Sequence, residues 1–509
     1  MLRDRFWFRP LAGLMPAVLL LVLGCSVNPA TGHQQLSFYD EQEEIAMGRE
    51  ADQDIVGHVG LYDNPAVQAY VSDLGKKLAA QSERPNLPWS FKVLDDPAIN
   101  AFALPGGYVY VTRGILTHLG SEAELATVMG HEIGHVTARH SVSQMSKKRL
   151  AAASIGVALI LADSKEALAL AGVAALGMGL VFLSYSRSDE SQADQLGLRY
   201  AQRAGYDLRE SPEVFRLLDR VAQNDARIEG TGRLPRWLST HPDPGSRRER
   251  LEQKVAEMEK GGTHFDGTTV NRDVYLSKID GMRFGDNPRE GFVRDGAFLH
   301  PDLQVQLTLP AGWKAASDKD SITAQSPKGD AFLRVALMGI GTPDEAADVF
   351  FREAGVNREK SWESKVHGQP AVWSDLDAKV NSKDLLGTVA FVSHQKRIFQ
   401  VLGVSGKNVW AGYQPALQRS IESFDRITDP KTLAIQPRQI KVVRLKKALT
   451  LEDFAKAFPS TVPVETVAVI NHVEPGGTLE AGRMAKQVVG GVEVAAGKNE
   501  AEKSKKRPK

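Results

Sequence analysis

Cysteine is nearly absent: one residue, Cys25, in a chain of 509. No intrachain disulfide can form, so the fold must rest on its core, and a chain of this length can bury one. Charge of one sign is lacking too. With 63 Lys and Arg against 62 Asp and Glu, the formal net charge is +1, which excludes the broad basic field of a nucleic-acid binder. Long apolar runs are scarce. Leu11 to Leu23 is too short for the roughly 20 residues that span a bilayer. The stretch 150–183 is broken by Asp163, Ser164, Lys165 and Glu166. It reads as a lipid-touching or core-buried hairpin, with a transmembrane hairpin as the alternative. What remains is ordinary for a globular protein, 42% hydrophobic and 25% charged, and the length suits two to four domains.

The N-terminus has Arg3, Arg5 and Arg9 before the apolar run, a targeting pattern over 1–24. Val22-Leu23-Gly24-Cys25 resembles a bacterial lipobox. That implies cleavage before Cys25, lipidation of Cys25 and membrane anchoring. With Ser26 next, it implies residence at the periplasmic face of the outer membrane. The alternatives are a signal anchor, or an ordinary signal peptide with a chance cysteine. A polar tether, 25–37, follows.

The informative segment is His131-Glu132-Ile133-Gly134-His135. Ser121 and Glu124 give a capping-box pattern, and Leu125, Val128 and Met129 follow at helical spacing. On a helix His131 and His135 share one face, so both imidazoles can bind one ion, and zinc suits neutral imidazole. Glu132 adjoins the first ligand but is turned from it, where a carboxylate can act as general base. His140, about 500° of helical rotation beyond His135, is predicted to point off that face. Ala138 and Ser141 exclude the extended pattern that ends in a third histidine.

A third ligand must come from elsewhere. Ser186 to Ala204 reads as an amphipathic helix on which Glu190 and Asp194 share a face with Ala193, Gly197, Leu198 and Ala201. An acid pair on a small, apolar face is costly unless paired or metal-bound. Glu190 is therefore the candidate ligand. Asp194 is the candidate acceptor for a ligand histidine N–H, or else a surface acid.

These segments resemble the HtpX and CAAX-prenyl-protease family, peptidase family M48, in its soluble lipoprotein branch. Further matches are Asn100 to Gly107, Ser239-Thr240-His241-Pro242 and Asn28-Pro29-Ala30-Thr31-Gly32. The resemblance covers about residues 25–260. It implies a gluzincin fold, one Zn2+ per chain and endopeptidase activity on unfolded or misfolded envelope proteins. It also implies a substrate-binding edge strand near residues 107–112, bordered by Asn100, Ala101 and Phe102. His241 has three readings: oxyanion stabiliser, occupant of the open zinc position in a self-inhibited state, or structural loop residue. Some members carry a tetratricopeptide domain after the protease; no 34-residue repeat is seen here, so its partner-binding mode is not carried over.

The expected class is α+β. A mainly helical metalloprotease domain (38–262) is followed by a linker (263–290) and a small α+β domain (291–430) without a metal or nucleophile constellation. Residues 438–489 resemble a degenerate LysM module, which implies peptidoglycan as a further partner; the alternative is a small packing module. The charged tail, 490–509, reads as disordered.

Overall fold

The computed structural model describes residues 25–147, 185–228, 236–241, 243–318, 321–352, 356–380 and 383–491. The segments expected to be a targeting signal (1–24) and an apolar hairpin (150–183), together with Pro242 and nearly all of the tail, lie outside the described residues. Among the described residues no helix is long and apolar enough to cross a membrane.

The chain forms two units, and both mix helix and strand. The first comprises the described residues up to Gly285 together with Gln439–Val489; the second is Asp286–Arg438. This corrects two expectations. Residues 263–285 are not a linker: the helix Arg272–Ile279 buries Tyr275, Leu276 and Ile279 in the main core. Residues 439–489 are not a separate third unit, because Val469 joins that same core.

In the first unit, Asp40 caps the helix Glu41–Val59 through a reciprocal capping box. Asn64 caps Pro65–Ala79, accepting from the amides of Ala66 and Val67. A three-stranded sheet has Tyr108–Thr112 at its centre, parallel to Ser90–Leu94 and antiparallel to Ala101–Leu104. The strand over 107–112 is thus central, and Ala101–Leu104 is an edge. Ser121 Oγ accepts from the Glu124 amide to start the helix Glu122–Thr137, almost wholly buried. The Glu124 carboxylate closes back on the Gly120 amide, one residue earlier than a standard capping box.

Gln439–Arg444 pairs antiparallel with Met484–Val489, and the helices Leu451–Ala457 and Val464–Ile470 lie between them in sequence. Lys486, buried, donates from Nζ to the carbonyls of Thr117, His118 and Leu119 at 3.1, 3.0 and 2.7 Å. Those carbonyls end the helix Arg113–His118, where a cation is favoured.

The second unit is a seven-stranded antiparallel sheet with a four-stranded one. Strand Lys383–His394 alternates between two cores. Val389 and Phe391 pack with Ala347 of the helix Pro343–Phe351, whereas Ala390 and Val392 pack with Leu417 and Ile421 of the helix Trp410–Glu422.

Candidate metal centre and active site

Two helices build the site, and glycine sets their distance. Gly130 and Gly134 of Glu122–Thr137 face Gly197 and Ala193 of Arg187–Arg203; a Cβ on Gly130 or Gly134 would come 3.0 Å from the Gly197 or Ala193 carbonyl oxygen. Backbone meets backbone there, so Glu190, one turn before Asp194, faces the two histidines. Ser186 fixes the start of this second helix through a capping box with Asp189.

His131, His135, Glu190 and His241 are buried, and one ligand atom from each falls within 4.8 Å of all the others. His131 Nε2 lies 3.0 Å from His135 Nε2, 3.2 Å from His241 Nδ1 and 3.5 Å from Glu190 Oε2. Glu190 Oε1 lies 3.4 Å from His135 Nε2 and 2.9 Å from His241 Nδ1. A tetrahedral ion with bonds of about 2.0–2.1 Å has ligand–ligand edges of about 3.3 Å. Among the described residues this is the one group of its kind.

The surrounding contacts fit a cation. Asp194 Oδ1 lies 3.0 Å from His131 Nδ1, so a proton there leaves the His131 Nε2 lone pair facing the group. Arg247, fully buried, donates to Asp194 from Nε at 3.0 Å and from Nη2 at 2.6 Å. The same Nη2 lies 3.1 Å from His131 Nδ1, both donors converging on one carboxylate. Arg247 Nη1 is 2.8 Å from Glu190 Oε2, but this ion pair lacks hydrogen-bond direction, and both atoms are buried without a hydrogen-bond partner. Glu190 Oε2 therefore keeps acceptor capacity that a metal ion would use. Glu132 Oε1 accepts from Trp237 Nε1 at 3.1 Å and lies 3.6 Å from His241 Nε2.

Charge follows from burial and pairing. Burial pushes the His131 imidazole down to about 4, with the Arg247 charge adding to it. Burial alone would raise Glu190, but the His241 charge and hydrogen bonds from His135 and His241 hold its carboxyl well below the usual range. Asp194 is likewise held low against its burial by Arg247 and His131. Burial opposes protonation of His241, yet Glu190 and Glu132 raise it above its ordinary value.

The predicted residues His131, Glu132, His135, Glu190, Asp194 and His241 thus converge. Asn100, Ala101 and Phe102 lie in and beside the edge strand, all buried. The Trp237 amide donates to Ile99 O, tying that strand to the helix that carries His241 at its end. His140 contradicts its expectation. The motif helix stops at Thr137, and His140 Nδ1 returns to 2.9 Å from His135 Nδ1. Sequence reading also missed Arg247 and Trp237. For Arg247 the signal existed: Arg247, Leu251 and Val255 recur every fourth residue and form the buried face of Pro244–Lys260.

A buried His-Glu-x-x-His helix joined by a glutamate from a second helix defines a metallopeptidase domain. Residues 65–255 match the model for Peptidase family M48. Over 204 residues the chain is 35% identical to a putative beta-barrel assembly-enhancing protease of Vibrio cholerae, covering 38% of this chain and 41% of the relative. It is 30% identical over 264 residues to the beta-barrel assembly-enhancing protease of Escherichia coli K12, covering 50% and 51%. It is 36% identical over 206 residues to the mitochondrial metalloendopeptidase OMA1 of Arabidopsis thaliana, covering 39% and 38%. The chain spans about half or less of the length of these relatives. Through this segment the chain is similar to peptidase family M48.

Proposed function

We propose that the protein is a zinc-dependent endopeptidase acting on unfolded or misfolded envelope proteins, anchored through Cys25 at the periplasmic face of the outer membrane. The carrying observation is the buried quartet of ligand atoms, all within 4.8 Å of one another, with Glu132 beside it. The lipobox-like segment and the relatives named beta-barrel assembly-enhancing protease support the setting and the substrate class.

His131, His135 and Glu190 hold the zinc in this reading. When bound, zinc supplies a Lewis acid that polarises a peptide carbonyl and acidifies water. Glu132, positioned by Trp237, accepts the proton of the attacking water and returns it to the leaving amine. Asp194 orients His131, and Arg247 holds Asp194 and Glu190 together. The edge strand Ala101–Leu104 offers its backbone to an extended substrate.

One observation favours a second reading, a latent enzyme that acts chiefly by binding clients. His241 Nδ1 lies inside the ligand set, the place of an occupant of the open metal position rather than an oxyanion donor.

Casein hydrolysis and metal content, measured on the same samples of wild type, Glu132→Gln and a chelated control, test both readings. About one zinc per chain, with cleavage lost in both controls, is the expected result. Bound zinc without wild-type cleavage would move the conclusion to the latent enzyme, and no bound metal would sink both.

A further inference from the structure

Behind the ligand group lies a pair of side chains that the proposed reaction does not use. The motif helix ends at Thr137, and Arg139 takes a left-handed backbone, φ 58°. For a non-glycine residue that conformation must be held from outside. Here Arg139 Nε donates to buried Glu44 at 3.0 Å and Nη2 to the Tyr39 carbonyl at 2.7 Å. The reversal brings His140, itself buried, back against His135. Their Nδ1 atoms are 2.9 Å apart, and His140 Nε2 meets Gln192 Oε1 at 2.8 Å. Gln192 stands two residues after Glu190 on the same helix.

Two facing Nδ1 atoms can share only one hydrogen, so the pair has two arrangements. In the first, His140 donates from Nε2 to Gln192 Oε1 and keeps a bare Nδ1, which accepts from His135 Nδ1–H. His135 Nε2 then carries a lone pair toward His131, Glu190 and His241. In the second, His140 donates from Nδ1 and the His135 proton moves to Nε2. That proton would point into the ligand group, and Gln192 would have to turn its amide to give His140 Nε2 a donor. Asp189 Oδ1, 3.9 Å from His140 Nε2, adds negative potential on the side where the first arrangement places a hydrogen.

We infer that His140 and Gln192 are positioning residues that fix His135 in the Nδ1–H tautomer, leaving its Nε2 free to bind a metal ion. The inference rests on the metal-centre reading above and extends it to residues outside the ligand set. It gives His135 the counterpart of what Asp194 gives His131, with a neutral histidine–amide chain in place of a carboxylate. Outer partners of this kind typically change metal affinity about 10- to 100-fold when removed.

The test uses the zinc-loaded full-length chain in detergent. Long-range nitrogen–proton NMR on histidine-labelled wild type should find His140 protonated at Nε2 and His135 at Nδ1. Zinc affinity, by competition with a chelator, should fall about 10- to 100-fold in His140→Phe, which keeps a ring but removes both nitrogens. Gln192→Met, without an acceptor, should weaken binding in the same direction, whereas Gln192→Glu should stay within about threefold of wild type because an acceptor remains. A wild type that takes up no zinc would remove the metal-centre reading itself. Zinc uptake by wild type with unchanged affinity in His140→Phe would overturn this inference alone. So would an Nδ1-protonated His140 in wild type, a readout that stands even if a variant fails to fold.

Discussion

A Cβ built on Gly197 would lie 2.8 Å from the backbone nitrogen of His131. No side chain fits there without moving one helix from the other, and those helices carry His131 and Glu190 on facing sides. Gly197→Ala should therefore cost about 1–3 kcal/mol as overpacking. It should also weaken metal binding, since the ligand-to-ligand distances depend on the same approach. Urea denaturation and chelator competition on one preparation would read both. Unchanged metal affinity would mean that Glu190 reaches the histidines independently of this helix crossing.

Arg247 is the only cation placed between Asp194 and Glu190 at ion-pair distance among the described residues. Its guanidinium also lies 4.5 Å from the Phe215 ring centroid and 5.1 Å from that of Trp237. Arg247→Met keeps much of the bulk but leaves two buried carboxylates facing each other. Breaking a buried pair in this way costs about 3–5 kcal/mol. Denaturation of the metal-stripped protein should show the loss, and added zinc should restore part of it by neutralising Glu190. A loss unchanged by zinc would argue that Arg247 serves packing alone.

These two sites differ in how legible they were. The helical period placed His131 and His135 on one face, and the cost of an acid pair on a small, apolar face pointed to Glu190 and Asp194. Arg247 was readable from its four-residue spacing with Leu251 and Val255, but the surrounding Glu and Lys residues made its helix look merely polar. His140 was not readable, because its position follows from the left-handed Arg139, which Glu44 and Tyr39 hold from distant parts of the chain. In the second unit, the strand Val356–Val366 is not legible in the sequence, because as an outer strand it exposes most of its side chains and shows little apolar alternation. The join between 439–489 and the peptidase core depends on contacts such as Lys486 to Leu119, for which one sequence offers no local signal.

Acid should destabilise the metal-stripped fold before it reaches the carboxylates. Burial lowers His118, His131 and His140 from 6.5 to about 4 each. The unfolded chain therefore binds more protons than the folded one between those values. Stability contributed by the neutral rings is present above pH 6.5 and is lost as pH falls from there toward 4. Denaturant midpoints across that window should decline. His241, whose value is raised, works the other way: its contribution is complete below 6.5 and fades as pH rises through its folded value. A flat profile from 6.5 to 4 would show that the rings are solvated in the metal-free protein.

His241→Ala separates the two functional readings. If His241 fills the open metal position, its removal should raise casein turnover while loosening zinc. If it stabilises the oxyanion, turnover should fall by about 10²–10³ with zinc affinity little changed. The ligand-set position of Nδ1, 3.2 Å from His131 Nε2, leads us to expect the first outcome.

Residues 439–489 should prove necessary for folding of the peptidase unit. Lys486 holds three carbonyls at the end of Arg113–His118, and its burial, which pushes the amine down to about 7, is opposed by Glu124. His472 Nε2 meets the His118 carbonyl at 3.1 Å, and its Nδ1 lies 3.2 Å from Glu124 Oε1 in the first turn of the motif helix. From the other side, Arg220 donates to the Val473 carbonyl and Asn224 to Thr466 Oγ1. Lys486→Met would leave carbonyls buried without a donor, at about 1–3 kcal/mol for each that finds no new partner. Calorimetry of that variant should show the transition that carries the peptidase unit shifted down. Deleting 439–489 should abolish that transition, since Val469 and its neighbours cover the main core. A truncated chain that kept the wild-type transition and its zinc would instead make this segment an independent module, and a glycan-binding role for it would then have to be tested directly.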